Sequence, residues 1–412
     1  MSAFLEKLGP GLLFAASAVG VSHLVQSTRA GAEFGFTMAV LIIVACLVKY
    51  PAFRFGAEYA AATGESVIEG YEREGRWLLV FFLVAIAIEG LVVIPAVSLV
   101  AAGMTMNLLG LAADDVLVTM MIVAVSSVAL ALGRYRLLER TSKLFVALFA
   151  VLTVVATVAA LGAFDQQRPL AAPVALTREN LFFSVAVAGW MPVGMGAAVF
   201  ISLWVCAKSR LLGRPISVRE ARFDFNLGYA GTVVLALCFL LMGTALLFGG
   251  GVDVAESSVG FASQLVGLFA DAVGPWVRVV IGVAALAVMF STVITVIDGF
   301  PRVYANVSRR LLGTSAAGFG EERLYLGFLV AQAAVALALL LYLLQSFNVF
   351  IDFATTAGFV TAPVIAFLNH RVIGATTIPE PDRPPRWLKA WSAAGVTVLT
   401  AASLLYLYFR FV

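Results

Sequence analysis

Charge is scarce in this chain. Only 12% of its 412 residues are Asp, Glu, Lys or Arg, against 62% hydrophobic. That is too little to coat a soluble protein of this size, but enough for the loops of a chain that crosses a bilayer many times. Cysteine is nearly missing, and Cys46, Cys206 and Cys238 all lie in apolar runs, which excludes a disulfide framework or a zinc knuckle. Histidine is rarer still, His23 and His370 alone, so no histidine-rich metal cluster exists. A Walker loop and a dinucleotide fingerprint are absent too, and no soluble domain separates the apolar runs, so the sequence reads as neither enzyme nor ATP-driven pump. No cofactor is implied. The Met1–Gly9 segment leads through Gly9-Pro10-Gly11 into a long apolar span with no small-residue cleavage site, and is read as retained rather than as a signal peptide.

What is present is a series of apolar stretches of roughly 20 residues, each enough to cross a hydrocarbon core of ~30 Å. Eleven are counted, at 10–32, 36–56, 77–103, 115–132, 142–163, 181–206, 225–249, 275–298, 324–345, 349–369 and 388–409, with an amphipathic surface helix expected at Glu256–Phe269. The net charge of +3 in a soluble protein would suggest nucleic acid; here 22 of the 27 lysines and arginines fall in alternate connections or beside them. Examples are Arg134, Arg136, Arg140 and Lys143 in one, and Lys208, Arg210, Arg214, Arg219 and Arg222 in the next such connection. The five on the other side are Arg29, Arg168, Arg178, Arg278 and Arg410. By the positive-inside rule the N-terminus is cytoplasmic and the C-terminus outside. The expected localisation is a cell membrane, with the lipid bilayer and no nucleic acid as partner.

Two spans are interrupted. The stretch Leu12–Gly35 starts as a membrane helix and then places Gly20, Val21, Ser22, His23 and Gln26 together near the midplane. The sixth span reads AVAGWMPVGMGAAVF, with Gly189, Met191, Pro192, Gly194 and Gly196 at its centre, where proline removes a backbone bond and glycine relaxes the rest. A kink or a close helix contact would account for one such span. Two, at the first helix of each half, match inverted repeats whose broken helices enclose a substrate site. The expected fold is all-α, with a first repeat at 1–163, a second at 164–371, and an additional eleventh helix at 372–412.

The chain resembles the natural-resistance-associated macrophage protein (NRAMP) metal transporters. Gly9-Pro10-Gly11-Leu12-Leu13 and Ala30-Gly31-Ala32-Glu33-Phe34-Gly35 look like the two ends of that family's first helix, and Thr63-Gly64-Glu65-Ser66-Val67-Ile68-Glu69 is similar to its signature after the second. Arg136-Leu137-Leu138-Glu139-Arg140 and Ser291-Thr292-Val293-Ile294-Thr295 resemble the start of its fifth helix and the middle of its eighth. The resemblance implies the leucine-transporter fold and a secondary transporter coupled to Na+ or H+. It departs where the metal should bind. The family's Asp-Pro-Gly-Asn is replaced by Gly20-Val21-Ser22-His23, and its Met-Pro-His by Met191-Pro192-Val193.

A transition metal stripped of water needs anionic or strong neutral donors. With the carboxylate gone, the expected substrate is a small anion such as bicarbonate, held at half-helix N-termini by exposed N–H groups. The alternative is a divalent ion, Mn2+, Fe2+ or Mg2+, coupled to protons. His23 is expected either to line the site or to be satisfied by a neighbouring carbonyl; on the first reading His23→Ala impairs transport and leaves folding intact. Glu89, near mid-membrane in the third span, is either a proton acceptor or a structural group paired with Lys49 or with backbone. Lys49 is expected to snorkel toward the cytoplasm. By the resemblance, the hydroxyls of Ser291, Thr292 and Thr295, with backbone near Ala18, would make a sodium site. The same hydroxyls would otherwise bond back to the preceding turn.

Overall fold

The computed structural model describes residues 9–132, 136–164, 169–250, 253–313, 321–344, 346–375 and 377–412, and the side chains of 136–145 and 321 are not described. Met1–Leu8, Arg134 and Arg168 therefore lie outside the described residues, as do the side chains of Arg136, Arg140 and Lys143. The described chain is helical. In order it runs α1 (Pro10–Ala18), a π-helical turn (Ser22–Ser27), α2 (Thr28–Phe34), α3 (Met38–Thr63), α4 (Val67–Glu74), α5 (Arg76–Leu109), α6 (Asp115–Ala131), α7 (Arg136–Gly162) and α8 (Arg178–Gly189). It continues with α9 (Ala197–Leu212), α10 (Val218–Leu246), α11 (Ser258–Val273), α12 (Val277–Leu312), α13 (Glu321–Leu343), α14 (Phe347–Val372) and α15 (Arg386–Phe411).

Seven of these helices are long and apolar enough to cross a membrane, eight spans if the bent pair α1 and Ser22–Phe34 counts as one. The chain is a multi-span helical membrane protein. The helices begin where the sequence supplies caps. Asp114 accepts from Leu117 N–H ahead of α6, Thr177 from Asn180 N–H ahead of α8, and Ser217 with Glu220 forms a capping box ahead of α10, each satisfying donors that a helix start leaves free. Several exceed the apolar core that defined them. α12 continues to Leu312 and α10 starts at Val218, so the helices run on through polar turns where the apolar runs stop.

Outward faces carry apolar stripes. Val80, Phe81, Val84 and Ile88 on α5, and Leu404, Leu405 and Tyr408 on α15, are exposed. A helix hydrophobic on both faces belongs in lipid rather than water. Inside, an aromatic cluster ties α1 to α3 and α10: the ring of Phe14 lies 5.3 Å from Phe53, 5.7 Å from Phe225 and 5.9 Å from Tyr229.

Glycine brings α1 and α2 against α10 backbone to backbone. A Cβ at Gly11 would stand 2.0 Å from Asp224 O, and one at Gly31 would stand 2.1 Å from Leu240 O. Asp224 also accepts the Gly9 and Gly11 N–H groups at 3.0 and 2.8 Å. The broken first span thus rides along α10 on both sides of its break. The amphipathic segment α11 is a partial correction to the expected surface helix. It runs Ser258–Val273 and buries Phe261, Leu265, Leu268 and Phe269, and Gly103 of α5 packs directly on Ser258.

Candidate functional site

Both interruptions are present and face each other. α1 stops at Ala18 and the chain resumes as the π-helical turn, bent by 52°. α8 stops at Gly189, and α9 begins at Ala197 after the Trp190–Gly196 segment. Between the breaks lies a cavity of about 50 Å³, lined on one side by Ala18, Gly20, Val21 and Ser22 and on the other by Trp190, Val193 and Gly194. Glu89, Thr292 and Thr295 complete its polar wall, while Val93, Val97, Phe200 and Phe300 make the rest apolar. At Phe200 and Thr295 it adjoins a second cavity of about 890 Å³ that runs past Ser291, Asp298, Arg302 and Lys208.

The ends of the sixth-span break are occupied by protein charges of the sign each end favours. Glu89, on α5, accepts the Gly196 N–H with both carboxylate oxygens, at 3.1 and 3.0 Å. A Cβ at Gly194 would meet Glu89 Oε1 at 2.2 Å. Lys49, on α3, donates to Ala188 O and Gly189 O at 2.6 and 2.7 Å. A helix N-terminus favours an anion and a C-terminus a cation. The structure corrects two expectations here. Lys49 does not snorkel; it is 0% exposed. The α9 N-terminus does not lie open for an anion, because Glu89 already fills it.

The break in the first span is tied to its neighbours by Ser22 and His23. His23 is fully buried, and its Nε2 lies 2.9 Å from Thr232 O. A carbonyl only accepts, so Nε2 carries a proton and donates, while Nδ1 lies 3.0 Å from the Ser22 hydroxyl. Ser22 Oγ also lies 3.2 Å from Pro192 O and 3.3 Å from Ala18 O. His23 therefore points at α10, and the cavity lining does not include it. Met191 is buried outside the lining as well, and Pro192 contributes its carbonyl to Ser22.

Gln26 leads elsewhere. Its amide donates to Asp352 Oδ1 at 2.8 Å and to Thr355 Oγ1 at 3.0 Å, and its carbonyl accepts from Arg29 at 3.2 Å. Arg29 meets Asp352 with both guanidinium ends, at 2.7 and 3.2 Å. This network joins the π-helical turn and α2 to α14, outside the lining of both cavities. In the sequence Arg29 counts only among the basic residues of the outer side, although its place three residues after Gln26 in the first span was a signal. The hydroxyls of Thr292 and Thr295 bond back to Val288 O at 3.1 Å and Ser291 O at 2.8 Å. Thr292 nonetheless touches the first break, since a Cβ at Gly20 would lie 3.6 Å from its Oγ1. Ser291 faces the larger cavity. Asp298 pairs with Arg302 at 2.7 Å and accepts from Tyr325 at 2.8 Å. Among the described residues no group of three or more His, Cys, Asp or Glu is placed to hold a metal ion.

Two opposed broken helices around a midplane cavity, within a bundle of long apolar helices, define a membrane protein of the leucine-transporter fold, and solved structures bear this out. The manganese transporter of Eremococcus coleocola superposes with TM-score 0.68 over 96% of this chain and 85% of its own, at 15% identity. MhsT in complex with L-phenylalanine gives 0.62 over 97% and 98%, at 15% identity, and the nucleobase-cation-symport-1 family transporter Mhp1 gives 0.56 over 97% and 90%, at 16%. No protein-family model matches the chain. It belongs to the family of the uncharacterized protein PM0681 of Pasteurella multocida (strain Pm70), to which it is 35% identical over 415 residues, covering 97% of this chain and 91% of that protein.

Proposed function

We infer that the protein is a secondary transporter, a distant relative of the NRAMP family, that moves a small ion by alternating access through the cavity between its two breaks. On this reading α6, α7 and the α8–α9 pair join the longer spans to give eleven crossings arranged as two inverted five-helix halves plus α15. With the N-terminus inside, the 890 Å³ cavity opens to the cytoplasm and the Arg29–Asp352 network seals the outside, an inward-facing state in a cell membrane.

Glu89 is the observation that carries the substrate assignment. It is the only ionisable side chain lining the small cavity among the described residues. A fixed carboxylate repels a free anion, and it holds the N–H group that bicarbonate would have used. Bicarbonate therefore loses its main support. A divalent ion fares little better, since one carboxylate compensates half of its charge and the remaining lining is hydroxyl and apolar. The geometry favours a small monovalent cation, with Glu89 as its counter-charge and proton exchange at Glu89 or a sodium ion near Thr292, Ser291 and the Ala18 carbonyl as the coupling.

The test is electrical. Purified protein in liposomes is exposed in turn to gradients of Na+, K+, methylammonium, Mn2+ and bicarbonate at several pH values. The expected result is a saturable current with a monovalent cation that Glu89→Gln abolishes. Bicarbonate or Mn2+ uptake that persists in Glu89→Gln would overturn the assignment.

A further inference from the structure

Lys49 is an expensive residue for its place. It sits on the membrane helix α3 with no exposure, where an ammonium group costs several kcal/mol of lost hydration unless it is compensated (roughly 2.5–3.5 kcal/mol on insertion scales). Its described hydrogen-bond partners are carbonyls, not carboxylates. Nζ lies 2.6 Å from Ala188 O and 2.7 Å from Gly189 O, in the last turn of α8. Ala188 O keeps a backbone donor, the Met191 N–H at 3.4 Å, short of what a continuing helix would supply, and together the two carbonyls carry the partial negative charge of a helix C-terminus. Close, converging oxygens at the end of a half-helix are the surroundings in which transporters coordinate monovalent cations.

We propose that the C-terminal end of α8 is a monovalent-cation site that the chain fills with its own Lys49 ammonium, so that this half of the break is held shut by a tethered ion rather than by one drawn from solution. The assignment does not rest on the transport reading above. It explains why the ammonium hydrogen-bonds to carbonyls rather than to a carboxylate, and why it reaches the break from a different helix. α3 also packs on α9, where a Cβ at Gly56 would meet Ala198 O at 2.0 Å, so one helix contacts both halves of the interrupted span. Lys49 is a positioning residue: it acts on the backbone that shapes the cavity and does not line the cavity itself.

The test needs no knowledge of the substrate. Lys49→Ala opens a space of ammonium size beside the same two carbonyls, and Lys49→Met fills that space without charge. Thermal melting of each purified protein is followed while ammonium or methylammonium replaces N-methylglucamine at constant ionic strength. Lys49→Ala is expected to melt several degrees below the wild type and to recover saturably with the small ammonium ions, whereas wild type and Lys49→Met do not respond. Recovery of folded Lys49→Ala only from ammonium-containing buffer supports the proposal equally. An unresponsive Lys49→Ala, or Lys49→Met with wild-type melting, would overturn it, because the carbonyls would then need no cation.

Discussion

Glu89 on α5 closes the N-terminus of α9 by accepting the Gly196 N–H at 3.1 and 3.0 Å, so the group that gives the cavity its charge also anchors one of its walls. Two substitutions separate the roles. Glu89→Gln keeps an oxygen for Gly196 and removes the charge; transport is expected to fall at least tenfold while the melting temperature changes little. Glu89→Ala leaves a buried N–H unpaired, at about 1–3 kcal/mol, and should show as a lower melting temperature as well as lost transport. Transport unaffected by Glu89→Gln would reduce Glu89 to an anchor.

On the proposed topology the Arg29–Asp352 pair seals the outer side, which makes it testable from outside. Thr355 is fully buried behind it, bonded to Gln26 at 3.0 Å. In intact cells, Thr355→Cys is expected to resist an impermeant maleimide, and the added Asp352→Ala change to make it react many times faster. Arg29 is buried but keeps Glu33 at 3.7 Å, so stability should suffer less than the roughly 3–5 kcal/mol typical of a buried pair broken with no remaining partner. Equal labelling in both backgrounds would show that the network does not control access.

Backbone contact between the broken span and α10 predicts a contrast among glycines. Gly11→Ala and Gly31→Ala would put a methyl 2.0 and 2.1 Å from carbonyls of α10, so each is expected to lower the melting temperature sharply or to prevent recovery of folded protein. Gly267, on α11, has nothing within 4 Å of its Cβ direction. There alanine should stabilise by about 0.5–1 kcal/mol through helix propensity alone. Melting curves of the three variants decide it.

Hydropathy and punctuation made most of the fold legible. Seven of the eleven apolar runs fall on helices long and apolar enough to cross a membrane, an eighth falls on the bent pair, and the Gly20 and Pro192 clusters fall on the two interruptions. What sequence could not show is where side chains turn once the helices pack. Lys49 sits near the end of an apolar run, where snorkelling is the usual outcome, and only the position of α8 beside α3 gives its ammonium inward partners. Gln26 and His23 are three residues apart, yet one joins α14 and the other α10, because the π-helical turn Ser22–Ser27 rotates them differently from a regular helix. Residues such as Val97 and Phe200 carried no signal at all, since an apolar cavity wall and an ordinary core read alike.

His23 shows that difference most sharply. The sequence left it either lining the site or satisfied by a neighbouring carbonyl; in the structure Nε2–H donates to Thr232 O at 2.9 Å and Nδ1 lies 3.0 Å from the Ser22 hydroxyl, joining the first break to α10. His23→Ala would leave the Thr232 carbonyl without this donor and open a buried void, each effect costing on the order of 1–3 kcal/mol. The expected result is a clear loss of thermal stability, with transport per folded molecule reduced only modestly. His23→Gln, whose amide can still donate toward Thr232, should recover much of the stability. Abolished transport in a His23→Ala protein that melts like the wild type would return the histidine to the solute's path.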